Sequence, residues 1–361
     1  MRQYPRLVIN LSKLENNIKQ IKERCEKQGV NLAGVIKGCT GFIEVAKEFE
    51  KQGAMFIASS RLEQLRKVKE SGVITPLMMI RVPCLTEVEE VIELCDVSLN
   101  SELAVLKKLN EEAKKQNKIH KIILMKDLGD LREGFYSEEE LVEAAKITEE
   151  MDNLHLLGIG TNLGCYGAVA ATVDKMNELI GCAEKIEKEI NRELEIISGG
   201  ATTTLPRIFE ENLPERINLL RVGEGILLAK DLKDLWGYDQ SYMYQDVFKL
   251  QCEVIEVKNK PTHPQGEIMF DAFGNQPTYE DRGIRRRALL AIGKVDYAFY
   301  DDLIINEEGC FVVGASSDHT IVDVEDATRD IKVGDIIEFD LSYSNLVYVT
   351  NSDNVLKEFI R

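Results

Sequence analysis

Leu32-Ala33-Gly34-Val35-Ile36-Lys37-Gly38-Cys39-Thr40-Gly41 is an apolar run that ends in an amine and then loosens. Two glycines and a threonine follow Lys37. The pattern predicts a buried strand with a lysine at its C-terminal end, at the mouth of a loop. A lysine so placed can be desolvated, which lowers its pKa and makes its amine a nucleophile or a base. Most strand-end lysines do no chemistry and point to solvent, so the remainder of the chain has to decide.

Outward from that stretch, the first two thirds of the chain alternate. Short apolar runs stand at 33–37, 55–59, 76–82, 96–99, 121–127, 155–162, 194–198 and 217–221. Between them lie amphipathic, Glu/Lys-rich segments such as 42–50, 87–94, 138–149 and 173–189. Ser12-Lys13-Leu14-Glu15 reads as a capping box opening the first helix. Strands this apolar are buried on both faces, as in a parallel sheet. Eight β-then-α units in about 230 residues predict a (β/α)8 TIM-type barrel. The alternative, an open doubly wound sheet, would carry a G-x-G-x-x-G after an early strand, and none is present. Beyond about residue 240 the texture changes. Gln251-Cys252-Glu253-Val254-Ile255-Glu256-Val257 and Ile336-Ile337-Glu338-Phe339-Asp340-Leu341 are β-branched or alternating, and Leu346-Val347-Tyr348-Val349 reads as a further short strand. The expected division is a barrel over 1–238 and a β-rich domain over 239–361, with residues 5–10 returning to pair with the second.

Composition sets bounds. A net charge of -17 over 361 residues argues against nucleic acid. No apolar run approaches the ~20 residues of a membrane span, and the polar first residues do not read as a signal peptide. The eight cysteines show neither a C-x-x-C pair nor a zinc spacing, so they read as small buried hydrophobes in a reducing cytoplasm. Cys39 is the exception, because it lies two residues past Lys37.

In a barrel, chemistry belongs at the C-terminal strand ends. Lys37, Lys126, Thr161-Asn162, Ser198-Gly199-Gly200-Ala201 and Arg221-Val222-Gly223-Glu224 all fall there. The last two segments follow the seventh and eighth strands. Their glycines, backbone N–H groups and nearby hydroxyls predict a phosphate pocket.

This set resembles the alanine-racemase-like, fold-type III pyridoxal-phosphate (PLP) enzymes, over the whole length. Val35-Ile36-Lys37-Gly38-Cys39-Thr40-Gly41 is similar to that family's cofactor-lysine segment. Lys126, Arg132 and Gly134 match its Lys-Asp-…-Arg-x-Gly element. Gly158-Ile159-Gly160-Thr161-Asn162 resembles a segment in which Asn162 replaces the family's His. Arg221-Val222-Gly223-Glu224 resembles the element whose Arg faces the pyridine nitrogen. Within the family, Ser-Gly-Gly-Ala-Thr-Thr-Thr-Leu-Pro, Arg-Val-Gly-Glu-Gly and Ser-Ser-Asp-His are wording shared with the racemases of ornithine. The resemblance implies that Lys37 holds PLP as an imine. It implies cofactor contacts from Lys126, Asn162, Ser198, Gly200, Ala201, Arg221, Gly223, Glu224 and Tyr343. It also implies a homodimer in which each β-rich domain completes the partner's site. The family's second-base Tyr falls at Phe273, so another group must serve; Asp271, Lys294, Asp318 and His319 are the candidates, with Asp318-His319 in the segment that enters the partner's site. The stretch matching the metal pair of related lyases, Ser342 to Tyr348, lacks His, Cys and Asp, so no metal is expected. The expected reaction is racemisation of an amino acid, ornithine first. Lysine, alanine or broad specificity are alternatives, as is a PLP-binding protein without activity.

Overall fold

The computed structural model describes residues 3–361, which divide into two compact units, Leu11–Tyr244 and a second formed by residues 3–10 with Gln245–Arg361. The second unit begins with β1 (Arg6–Asn10). Eight parallel strands follow in the first unit. They are β2 (Asn31–Val35), β3 (Phe56–Ser59), β4 (Leu77–Met79), β5 (Val97–Asn100), β6 (His120–Met125), β7 (Leu154–Gly160), β8 (Ile196–Ser198) and β9 (Leu219–Val222). They close into a barrel, with β9 pairing back onto β2 through Leu32 opposite Leu220. This is the barrel expected from the alternation of apolar runs.

Inward side chains fill the barrel. Ala33, Val35, Ala58, Met78, Leu99, Ile123, Met125 and Leu219 belong to one buried cluster. Small residues let the outer helices approach. A Cβ on Gly34 would lie 2.4 Å from the Phe49 ring, so only glycine lets helix Ile43–Lys51 seat there. Burial of Phe49 stabilises that contact by about 1.5–3 kcal/mol.

The second unit is an eight-stranded sheet. Its later strands are β10 (Phe248–Pro261), β11 (Ile284–Leu290), β12 (Ile304–Ile305), β13 (Phe311–Ala315), β14 (Thr320–Asp323), β15 (Ile336–Asp340) and β16 (Leu356–Ile360). The order runs β12-β15-β10-β11-β14-β13, and β1 lies between β10, antiparallel, and β16, parallel.

Three local expectations are corrected. The run 346–349 is not a strand but part of helix Tyr343–Asn351. Ser342 caps it by accepting from the Asn345 amide at 3.3 Å, and Leu346, Val349 and Thr350 are buried at helical spacing. Tertiary burial overrides the β preference of branched residues there. The first helix starts at Leu11, so Ser12 lies inside it rather than capping it. Cys84 and Cys165 are exposed rather than buried. Among the described residues no helix is long and apolar enough to cross a membrane, and no group of three or more His, Cys, Asp or Glu is arranged to hold a metal.

Candidate functional site

β2 ends at Val35, and Lys37 opens a 3-10 turn, Lys37–Cys39, rather than ending the strand itself. The turn closes through Thr40, which takes left-handed φ 51 and donates its amide to the Lys37 carbonyl at 3.3 Å. Gly41 also has positive φ, and a Cβ there would lie 2.5 Å from Gln64 Cβ. The turn therefore anchors Lys37 at the barrel mouth with its side chain half-buried. Burial lowers the Lys37 pKa below its ordinary 10.5. Cys165 and Glu133 act against that shift, while Arg132 and Arg221 add to it. Cys39 points elsewhere. It is fully buried, its thiol donates to the Ile36 carbonyl at 3.3 Å, and burial pushes it up to about 12, so it is chemically inert.

Arg221, on β9, is a buried cation. It donates to Ser198 Oγ and, at 2.8 Å, to the Thr161 carbonyl. No ion pair of Arg221 with a carboxylate forms among the described residues. Burial lowers its pKa to about 10, which still leaves it charged at neutral pH. A buried guanidinium with five N–H groups, held by a hydroxyl and a carbonyl, is built to meet a further acceptor.

The loops after β8 and β9 interlock. Gly225 N donates to Thr202 Oγ1 at 3.1 Å, and a Cβ on Gly225 would lie 2.9 Å from Thr202 Cγ2. Arg221 N donates to the Gly200 carbonyl at 2.9 Å, and Gly200 has φ +113. The amides of Ala201, Thr202, Gly223 and Glu224 take no part in the hydrogen bonds that the two loops make. Those donors, with Thr202 and Thr203 beside them, suit an anion such as a phosphate. The Glu224 side chain turns the other way. Its Oε1 accepts the Lys230 and Asp231 amides, both at 3.1 Å, while Oε2 is buried without a hydrogen bond, and burial raises its pKa to about 7. Only the Glu224 backbone can serve the cradle.

The loop after β6 carries Lys126, whose ammonium donates to the Asp127 and Tyr136 carbonyls at 2.8 and 2.7 Å. Gly134 (φ +131) lets the chain return against Asp127, where a Cβ would lie 2.4 Å from the Asp127 nitrogen. Asp130 accepts amides of Gly164 and Tyr166, both at 3.0 Å, and of Val169 at 3.3 Å, which ties this loop to the loop after β7. Arg132 donates to Cys165 Sγ at 3.0 Å and forks onto Glu133. Asn162, half-buried, follows Thr161, whose hydroxyl donates to the Lys126 carbonyl at 2.9 Å.

Residues 9–231 match the family model "Alanine racemase, N-terminal domain". The chain belongs to that family. An ornithine racemase from Acetoanaerobium sticklandii is 43% identical over 99% of this chain and 100% of its own length. A lysine racemase from Thermotoga maritima is 37% identical over 99% of this chain and 98% of its own. An alanine racemase structure from Clostridium difficile 630, in complex with cycloserine, shares the fold with a TM-score of 0.76. It covers 100% of this chain and 96% of that one, at 19% identity.

Against the alanine racemase family pattern, Lys37, Lys126, Asn162, Ser198, Gly200, Ala201, Arg221, Gly223 and Glu224 all stand at C-terminal ends of barrel strands or in the loops after them. Asp318, His319 and Tyr343 stand in the second unit. Asp318 and His319 form the exposed turn between β13 and β14, with Asp318 accepting from Ser317 Oγ at 2.6 Å and the His319 amide donating to Ser316 Oγ at 3.2 Å. This turn docks on residues 292–295, where Lys294 N donates to the Ser316 carbonyl at 2.9 Å. Lys294 Nζ lies 4.2 Å from the Phe273 ring centroid and 4.0 Å from Asp271. The candidate second bases thus gather in one region of the sheet. Tyr343 opens helix Tyr343–Asn351 and is half-buried. Asp130, Glu133 and Cys165 also belong to the cluster of loops after β6 and β7, though no motif in the sequence marks them. The Arg-x-Gly element specifies Arg132 and Gly134 and leaves Glu133 between them open, and no local signal pairs Asp130 with a loop some thirty-five residues away.

Proposed function

We propose that this protein is a PLP-dependent amino-acid racemase whose first substrate is ornithine. The observation that carries the reading is the half-buried Lys37, its pKa lowered, in the electrostatic reach of a buried Arg221 that has no carboxylate partner among the described residues. The donor set fits PLP. Lys37 would hold it covalently, the amides of Ala201, Thr202, Gly223 and Glu224 would hold its phosphate, and Arg221 would face its pyridine nitrogen. When bound, PLP delocalises the electron pair left at Cα after a proton departs.

Lys37 Nζ takes the α-proton of one enantiomer as a neutral amine, and its lowered pKa keeps more of that form present at neutral pH. Arg221 does not give up its proton, so the acceptor it meets stays unprotonated. That limits electron withdrawal and favours return of the proton to Cα over side reactions. A second proton carrier must serve the opposite face, and Asp318 and His319 are candidates for it, supplied across a homodimer. The free cysteines suit a cytoplasmic location.

Ornithine comes first because of the 43% relative; lysine is the second reading, from the 37% relative. The test is deuterium washout at Cα with chiral product analysis, for ornithine, lysine, alanine and serine under one set of conditions. Exchange and racemisation fastest with ornithine are expected. Alanine exchanging as fast as ornithine would remove the specificity, and no exchange with any amino acid would remove the activity.

A further inference from the structure

A substrate with a distal ammonium needs a carboxylate where its side chain ends. In the loops at the C-terminal ends of the barrel strands, most carboxylates already have fixed structural bonds. Glu87 takes Arg81 at 2.7 and 2.8 Å and the Cys84 amide. Glu102 caps its own helix through the Ala104 amide. Asp127 holds the Gly129 and Leu131 amides, and Asp130 holds the loop after β7. Glu224 is turned toward Lys230 and Asp231.

Glu133 differs. Its side chain is 19% exposed, and among the described residues it pairs with Arg132 next to it, Nη2 to Oε1 at 2.5 Å with Nε on Oε2. That fork uses one lone pair on each oxygen and leaves the other on each open to a second cation. Two contacts fix its place. Gly134 and the Lys126–Phe135 bridge fold the loop back onto the end of β6, and Arg132 Nη1 is anchored on Cys165 Sγ at 3.0 Å. Its charge is felt at both Lys37, in the turn after β2, and Arg221, on the adjoining strand β9.

We propose that Glu133 receives the distal ammonium of the substrate, and so selects diamino acids over their uncharged isosteres. This rests on the racemase reading above. In that arrangement the ammonium lies across Glu133 from the Arg132 guanidinium, two cations sharing one carboxylate. No bond is made or broken; the interaction is a charge-assisted hydrogen bond.

The experiment compares kcat/KM for ornithine and norvaline, using the PLP-loaded enzyme, in wild type, Glu133→Gln and Glu133→Asp. Ornithine and norvaline dissociation constants are measured on the same proteins by calorimetry. Wild type should favour ornithine. Glu133→Gln should lower the ornithine-to-norvaline ratio about 10- to 100-fold, in binding as well as turnover. Glu133→Asp, which keeps the charge, should hold the ratio within about threefold of wild type. An unchanged ratio in Glu133→Gln overturns the proposal and places the carboxylate elsewhere. Equal losses in both variants also overturn it, because they mark a structural role. A wild-type enzyme that racemises norvaline as well as ornithine defeats the ornithine reading itself, before any variant is compared.

Discussion

Lys37 is held where an ammonium is poorly solvated, and the cost appears in stability. Its folded pKa lies below 10.5, so between the two values the unfolded chain binds more protons than the folded one. Stability of the cofactor-free protein should therefore rise with pH through that window and level off above 10.5. Lys37→Met removes the cost. It should melt higher than wild type at pH 7, with the advantage shrinking toward pH 10.5, while racemisation is lost altogether. Thermal melts of both cofactor-free proteins across that range check this, and a constant gap would show that Lys37 is not desolvated. Arg221 poses the complementary case. Arg221→Lys cannot reach Ser198 Oγ and the Thr161 carbonyl in the same fork. Turnover should fall by about 100-fold or more, as when one aligned donor is removed. Steady-state kinetics with a matched absorbance spectrum for cofactor content separate lost chemistry from lost binding.

At the scale of elements, the site depends on loops that hold one another. Asp130 is the main fastener between the loops after β6 and β7. Burial by itself would raise its pKa, but the amides of Tyr166, Val169, Gly167 and Gly164 outweigh that and hold it below its ordinary 3.8. The stabilisation is thus complete above about pH 4 and is lost as pH falls through the lower, folded value. Asp130→Asn replaces one accepting oxygen by a donor facing N–H groups, at a cost of about 1–3 kcal/mol. The variant should remain folded at neutral pH yet be cut faster by protease within residues 161–169. An unchanged cleavage rate would mean that the loop is held by other contacts. The strands tolerate less. A Cβ on Gly158 would stand 1.9 Å from the Ile196 carbonyl oxygen, so Gly158→Ala should force β7 and β8 apart and yield little soluble protein.

At the scale of the whole molecule, the chain builds a barrel and a separate sheet that takes β1 from the very start of the sequence. If the sheet of one subunit completes the site of another, chemistry is divisible between chains. Mixing an inactive Lys37→Ala chain with an inactive Asp318→Asn/His319→Asn chain should then restore about a quarter of the wild-type activity when subunits exchange at random. Chiral assay before and after subunit exchange measures it. Full activity from a species that sediments as a monomer would exclude sharing.

The sequence by itself determined the period of the fold. Eight apolar runs separated by amphipathic segments are local facts, and they predict a barrel whatever the loops do. The position of Lys37 after the first barrel strand and of the glycine pairs after the last two followed from the same count. Local composition misled where burial was decided by distant partners. Residues 346–349 carry β-branched side chains, yet Leu346, Val349 and Thr350 are buried along one face of a helix capped by Ser342. Cys84 and Cys165 carry no mark that separates them from the six buried cysteines. Only the tertiary structure showed Asp130 gripping the loop after β7, Glu224 turned away from the cradle, and Glu133 forked onto Arg132. The physical reason is the same for all three. Periodicity records which face a residue presents, whereas a carboxylate's partner depends on which loop the closed barrel brings beside it.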